Sequence, residues 1–293
     1  MKRHSLPALV GIFGDPVTHS RSPAMHNAAF RALKLDYYYL PFAIKPAGLA
    51  AAVNAIRTLG MAGVNLTIPH KERALSYLDG LSAEARRIGA VNTVVNRGGR
   101  LIGHNTDGRG FLLALRAAWG VSMQGRVVCL IGAGGAARAV AAALMRAGVK
   151  RLIIANRSID RAARLARAIR GRGARSSARV QVIALSDAAL RRVAADCDYL
   201  VNATAVGLRR SDPRLASPEV VGRFPSVCDL IYQPAVTPLL RDARAAGCRT
   251  MNGLGMLVYQ GALSFQLWTG RKAPIAVMMR AASEVRGRIR FSP

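Results

Sequence analysis

The stretch GVNLTIPHK, residues 63–71, ends in a lysine, in a chain that draws nearly all of its positive charge from arginine. Lys2, Lys34, Lys45, Lys71, Lys150 and Lys272 are the only lysines among 43 basic residues, so the composition runs strongly against this side chain. An ammonium can give up its proton and regain it, whereas a guanidinium in a protein stays charged. Lys71 is therefore a candidate acid–base group. Three further polar motifs follow or precede expected strands: HSRSP at 19–23, AVNT at 90–93 and GHNTDG at 103–108. Each has a structural reading as well. Ser22 before Pro23 reads as a helix start, with the serine as cap and the proline pre-organised at the first position. Asn65, Asn92, Asn105 and Asp107 could end strands through side-chain turns.

A second candidate lies in VVCLIGAGGAARAV, residues 127–140. An apolar run leads into Gly132, Ala133, Gly134, Gly135, Ala136 and Ala137, and an alanine-rich helical run follows. Gly132, Gly134 and Ala137 fit G-x-G-x-x-G/A in the strand–turn–helix setting that gives this pattern meaning. The first glycine permits the tight turn, the second admits a pyrophosphate, and the small third residue lets the helix pack on the strand. The pyrophosphate would rest on the helix N-terminus, whose unsatisfied N–H groups carry partial positive charge. The next strand, RLIIAN at 151–156, should end in the residue that reads the adenosine ribose. An NAD site would place Asp or Glu there. Here the strand ends in Asn156, followed by Arg157, Ser158 and, one turn on, Arg161. Two guanidiniums suit a 2′-phosphate, so the expected cofactor is NADP. Asp160 falls in the first turn of the next helix, where an acid offsets the dipole. The structural alternative is two solvated arginines in an arginine-rich chain.

At 293 residues and 51% hydrophobic composition, the chain has room for two domains with separate cores. Its formal charge of +28 admits a nucleic-acid binder, or a protein that steers small anions. Basic residues are scattered and aromatic residues make up only 5%, which disfavours a base-stacking surface. The densest basic run, RAIRGRGARSSAR at 167–179, reads as a helix end running into a solvated loop. The expectation is a small-molecule substrate and no nucleic acid. Cys129, Cys197, Cys228 and Cys248 form no CxxC pair, which points away from a metal site or a disulfide framework and towards the cytoplasm. The opening MKRHSLPALVGIFGDP imitates a secretory signal, but Pro7, Gly11 and Gly14 interrupt it and a strand reading fits better. LGMLVYQGALSFQLW, residues 254–268, is short for a membrane span and carries Gln260, Ser264 and Gln266, so a packed helix is expected.

The elements that must position these residues alternate from the start. Strand ALVGIFG precedes helix SPAMHNAAFRALK, strand DYYYLPFAI, helix LAAAVNAIRTLG and strand AGVNLTI. A helical SAEARRIG, two strands around an RGG turn and a helix from Asp107 follow. Short connections between alternating strands and helices predict an α/β fold with a mostly parallel sheet. A second α/β series begins at RVVCLIG and runs through strands RLIIAN, VQVIAL, YLVNAT and VCDLI. Two final helices, at 255–270 and 273–285, are expected to fold back on the first half. The predicted architecture is thus two α/β domains. Residues 1–106, completed by 253–293, bind substrate; residues 107–252 form a Rossmann-type dinucleotide-binding domain.

Taken together, the motifs resemble those of the shikimate dehydrogenases, NADP-linked oxidoreductases of aromatic amino-acid (chorismate) biosynthesis. GDPVTHSRSP, GAVNT, NTDG, GAGGAA, NRS, VNAT, IYQPAVTPLL and GMLVYQGA occur in that order along nearly the whole chain. The resemblance implies a reversible reduction of 3-dehydroshikimate to shikimate. It assigns the substrate carboxylate to Ser20 and Ser22, and a helix N-terminus at Ser22 suits an anion. It makes Lys71 and Asp107 catalytic and puts Asn65, Thr67, Asn92, Tyr232 and Gln260 on the remaining polar contacts. Cofactor contacts are implied for the glycine loop, for Asn156, Arg157, Ser158 and Arg161, and for Thr204, Leu230 and Gly253. Hydride transfer requires a proton for the developing alkoxide, which Lys71 would give while Asp107 orients it and binds a neighbouring hydroxyl. Neutral donors and acceptors would select the polyol, because a buried polar group left unpaired costs about 1–3 kcal/mol.

Ala205 departs from the family, which commonly has serine after NAT, and His104 and His70 read as rim and filler. Two rivals stand beside this reading. A shikimate/quinate dehydrogenase would favour a serine–threonine pair and an acid near the ribose, against which Ser22 and Arg157 argue. A non-catalytic nucleic-acid binder on the same fold would not need both Lys71 and Asp107. The expected protein partner is a second copy of the chain, as a homodimer.

Overall fold

The computed structural model describes residues 6–170 and 178–284, so most of the basic loop, residues 171–177, lies outside the described residues. Contacts divide these residues into two compact units, 6–106 with 258–284, and 107–257.

The first unit runs β1 (Ala8–Gly14), α1 (Ser22–Ala32), β2 (Tyr37–Ala43), α2 (Leu49–Thr58), β3 (Gly63–Leu66), β4 (Gly80–Leu81), α3 (Ala83–Ile88), β5 (Thr93–Arg97) and β6 (Arg100–His104). Its sheet has the order β2-β1-β3-β5-β6-β4. β1 is parallel to both β2 and β3, while β5 is antiparallel to β3 and to β6. The RGG turn is a two-residue hairpin between Arg97 and Arg100, with Gly98 at φ 60° and Gly99 at φ 89°. Positive φ at both central residues gives the turn whose twist matches paired strands. α2 buries Leu49, Ala52, Val53 and Ile56, one stripe at helical spacing, against Phe13, Val64, Leu66 and Val94 of the sheet.

The second unit runs α4 (Asp107–Trp119), β7 (Val127–Ile131), α5 (Gly135–Arg146), β8 (Arg151–Asn156), α6 (Ile159–Arg170), β9 (Arg179–Ala184), α7 (Asp187–Ala194), β10 (Tyr199–Asn202), α8 (Pro218–Val221), β11 (Ser226–Asp229), α9 (Pro238–Ala245) and β12 (Arg249–Met251). All strand pairs are parallel, in the order β12-β11-β10-β7-β8-β9. This is the doubly wound order, and the chain reverses its direction of travel between β7 and β10. The central strands are buried on both faces, which is why VVCLI, LIIA and YLVN read as near-continuous apolar runs.

α10 (Leu254–Thr269) and α11 (Ile275–Glu284) close the described chain. From residue 258 onward they belong to the first unit, where Trp268 Nε1 donates to Val94 O at 3.0 Å. Among the described residues no helix is long and apolar enough to cross a membrane.

One expected local detail changes. Ser22 is not the cap of α1 but its first residue, with Pro23 second. Arg21 already has helical backbone angles and its carbonyl accepts from Met25 N at 3.2 Å, so the winding starts one residue early. The acceptor at this end is Ser20 Oγ, which takes the Ser22 N–H at 3.2 Å.

Candidate active site

In the first unit, strand register brings the separated motifs to one sheet edge. Ile12 pairs with Asn65, Asn65 with Thr93, and Thr93 with His104. The end of β1, the end of β3, the start of β5 and the end of β6 therefore lie side by side. Ser20 and Ser22 follow the first, Thr67 and Lys71 the second, Asn92 precedes the third, and Asn105 and Thr106 follow the fourth. From β1 the chain goes to β2 on one side and to β3 on the other, so this edge is a switch point at carboxyl strand ends, where open α/β sheets bind ligands.

The loop that carries Lys71 is fastened on several sides. Thr67 N donates to Phe13 O at 3.0 Å, Asp15 N to Ile68 O at 3.0 Å, and Val91 N to the carbonyl of Lys71 itself at 2.7 Å. His70 does more than fill space: it is fully buried, and its Nε2 lies 2.7 Å from Ile44 O. A carbonyl only accepts, so Nε2 carries the proton in this contact. The side chain of Lys71 is left half-buried on a fixed backbone.

Beside it lies a buried polar layer. Asn65 Oδ1 accepts from Tyr39 OH at 2.8 Å, and its Nδ2 reaches Asn92 O at 3.0 Å and the hydroxyls of Thr93 and Ser264, each at 3.1 Å. Asn92 Nδ2 donates to Thr106 Oγ1 at 2.8 Å and to Gln260 Oε1 at 3.0 Å, while its Oδ1 accepts from Thr106 N at 2.8 Å. Ser264 Oγ sits 2.7 Å from Thr93 Oγ1 and donates to Gln260 O at 3.1 Å. Gln260 and Ser264 are four apart on α10 and share a face. The layer joins three anticipated residues, Asn65, Asn92 and Gln260, to four the sequence reading did not single out as site residues: Tyr39, Thr93, Thr106 and Ser264. Asn65 spends its amide inward, holding the segment that presents Asn92. The signal for the others was weak, since Thr93 and Thr106 each merely follow an asparagine.

The second unit places its residues around β7. Gly132 has φ 117°, and its N–H donates to Ala155 O at 2.9 Å. A side chain there would meet Thr204 Cγ2 at 3.0 Å and Ala203 O at 3.1 Å. Gly134 differs. Its φ of −87° and ψ of −173° suit any residue, and a Cβ would meet nothing within 4 Å among the described residues. Nothing among the described residues asks for glycine at 134, and the open space beside its Cα leaves room for a ligand to approach the backbone. As the glycine cap of α5 it offers no side chain to the first-turn N–H groups, a helix end of the kind that suits an anion. Ala133 and Ala137 are buried, and Gly135 and Ala136 are half-buried at the helix start. These residues fit a dinucleotide pyrophosphate.

At the end of β8, Asn156 Nδ2 donates to Ser158 O at 2.9 Å and Ser158 Oγ accepts from Arg161 N at 3.4 Å, together opening α6. Arg157 and Arg161 are exposed, and neither has an ion pair among the described residues. Across β7, Thr204 N and Oγ1 both donate to Asn202 Oδ1, at 2.9 and 2.7 Å. Leu230 N donates to Asn202 O at 3.0 Å, and Gly253 N to Ile231 O at 3.0 Å. Tyr232 is half-buried on the loop after β11, and Asp107 is buried as the first residue of α4. Asn202, Asp229 and Thr237, buried beneath these loops, had no part in the sequence reading of the site.

Comparison with known proteins bears on both units. The chain matches the shikimate dehydrogenase substrate binding domain over residues 12–94, shikimate / quinate 5-dehydrogenase over 114–208 and the shikimate 5′-dehydrogenase C-terminal domain over 253–282. Shikimate dehydrogenase (NADP(+)) of Symbiobacterium thermophilum is 48% identical over 94% of this chain and 93% of its own length. The solved structure of shikimate 5-dehydrogenase from Thermus thermophilus, in complex with NADP(H) and shikimate, is 40% identical with a TM-score of 0.83, covering 94% of this chain and 98% of that one. Quinate dehydrogenase from Corynebacterium glutamicum, in complex with NAD, is 33% identical with the same TM-score of 0.83 over 95% of this chain and 99% of that one. A shared fold thus serves more than one substrate and cofactor, and the assignment within it rests on residues. With such identity over nearly its whole length, the chain belongs to the shikimate dehydrogenase family.

Proposed function

We propose that the chain is an NADP-dependent oxidoreductase that reversibly reduces 3-dehydroshikimate to shikimate in aromatic amino-acid (chorismate) biosynthesis. The observation that carries the reading is the convergence of the serine, lysine and asparagine motifs on one carboxyl edge of the first sheet, around a fixed Lys71. NADPH, when bound, supplies the hydride to the substrate carbonyl carbon. The residues of the chain do the rest. Ser20, Ser22 and the start of α1 take the ring carboxylate, where hydroxyls and a helix N-terminus favour an anion. Thr67, Asn92, Gln260 and Tyr232 fix hydroxyls, and Asn65 keeps the array in place. Lys71 gives a proton to the oxygen that gains charge and recovers it in the reverse direction. Asp107 accepts from a neighbouring hydroxyl.

In the second unit, taken as the dinucleotide-binding domain over 107–252, the glycine loop holds the pyrophosphate and Arg157 with Arg161 holds the 2′-phosphate. Asn156 and Ser158 shape that end, and Thr204, Leu230 and Gly253 line the other. Residues 1–106 with 253–293 form the substrate domain. We further place the protein in the cytoplasm, which suits its four free cysteines, acting on small molecules without nucleic acid and with a second copy as its protein partner.

Lys71→Met tests the chemical core. Turnover should fall roughly 10²–10⁴-fold, the usual worth of a positioned acid–base group, with the dissociation constant for NADPH unchanged. Unchanged turnover would remove Lys71 from the mechanism.

A further inference from the structure

A buried carboxylate that the mechanism above leaves unused lies under the loops following β10 and β11. Asp229, the last residue of β11, is 1% exposed and accepts three hydrogen bonds: from Thr237 Oγ1 at 2.7 Å, Asn202 Nδ2 at 3.0 Å and Ile231 N at 3.1 Å. Each donor holds a different piece of chain. Asn202 turns its Oδ1 to Thr204 N and Oγ1, and its Nδ2 also reaches Val206 O at 3.2 Å. Thr237 accepts from Leu240 N at 3.3 Å and so caps α9. Ile231 begins the segment up to Thr237, and its carbonyl takes the N–H of Gly253. One carboxylate thereby ties together residues 203–206, 230–237 and 253.

The sheet order gives these segments a common side. β8, whose end carries Asn156 and Arg157, lies on one flank of β7; β10 and β11 lie on the other. A dinucleotide with its pyrophosphate at the glycine loop and its adenosine towards β8 must extend its second half over the ends of β10 and β11.

We propose that Asp229 is a positioning residue for the nicotinamide half of the cofactor: through Asn202, Thr237 and Ile231 it holds the loops that receive that half, touching no ligand itself. The inference rests on reading this unit as the NADP-binding unit. Burial alone argues that the group has a task. It raises the Asp229 carboxyl from 3.8 to about 6, against the pull of its three donors, and no cation offsets that cost among the described residues. An apolar residue would serve a strand end of this depth at no such cost.

The test compares two ligands by calorimetry: NADPH, and 2′,5′-ADP, which presents the adenosine half alone. Asp229→Asn keeps the shape but turns an amide N–H₂ towards donors. NADPH affinity should fall about tenfold while 2′,5′-ADP affinity stays within about twofold. Thr237→Val, which deletes one of the three bonds, should show the same split at smaller amplitude, and it stands in if the asparagine variant does not fold. Equal weakening of both ligands would make Asp229 a general structural support and overturn the inference, as would unchanged NADPH binding. A wild-type protein that bound neither ligand would sink the cofactor reading itself, a result separable from any behaviour of the variants.

Discussion

His26 allows an acid-stability prediction to be worked through from geometry. It is wholly buried on α1, stacked parallel on Tyr39 with ring centroids 4.5 Å apart, and Trp268, Phe30 and Phe265 surround it at 5.4, 6.2 and 6.4 Å. Neither ring nitrogen has a hydrogen-bond partner among the described residues. Burial with nothing to solvate an imidazolium lowers its pKa from 6.5 to about 3. The unfolded chain therefore binds a proton near pH 6.5 that the folded chain refuses. The stability contributed by neutral His26 is complete above pH 6.5 and is lost as pH falls towards 3. One proton corresponds to about 1.4 kcal/mol per pH unit, so the first unit should lose about 2 kcal/mol between pH 7 and pH 5 from this group, and about 4 by pH 3. His26→Phe keeps a ring in the stack and removes the titration. The chain has two tryptophans, Trp119 in the second unit and Trp268 beside His26. In a Trp119→Phe background, urea unfolding followed by Trp268 fluorescence reports the first unit. Other titrations are common to both chains and cancel, and a constant overpacking cost leaves the slopes untouched. The histidine chain should lose about 2 kcal/mol relative to the phenylalanine variant between pH 7 and pH 5. Parallel profiles would refute the reasoning.

Two further outcomes follow from the second unit. Arg157→Ala should weaken NADP by roughly 10–100-fold, the worth of charge-assisted bonds to a phosphate, and leave NAD unchanged; equal weakening of both would mean that Arg157 does not read the 2′-phosphate. Gly134→Ala should leave the melting temperature unchanged, since the backbone angles are ordinary and the added Cβ meets no atom of the described residues, yet weaken NADPH by about tenfold or more. A drop in melting temperature with normal binding would show that the glycine serves the fold.

The sequence was most legible where one local pattern sufficed. The strand–glycine–helix run at 127–140 and the apolar runs of β7, β8 and β10 needed no knowledge of partners. Shorter elements escaped it. β4 has two residues and β12 three, too short for a periodic pattern, and α9 hides within IYQPAVTPLL, where Thr237 with Pro238 is a cap-and-proline start. The order of the strands decided the rest. Asp229 ends its strand like any turn-forming acid, and its link to Asn202, 27 residues earlier, exists only because β10 pairs with β11. The contacts of Asn65 with Thr93 and Ser264 likewise depend on register and on α10 belonging to the first unit. Ser22 does not cap α1 because helical winding begins at Arg21, and its N–H is taken by Ser20 Oγ instead.

Initial rates of NADP and NAD reduction, each with shikimate and with quinate, measured in one buffer on one preparation, put the central claim to its most direct test. NADP with shikimate should turn over far faster than any of the other three pairs. Fastest turnover of NAD with quinate, or no turnover with any pair, would contradict the account.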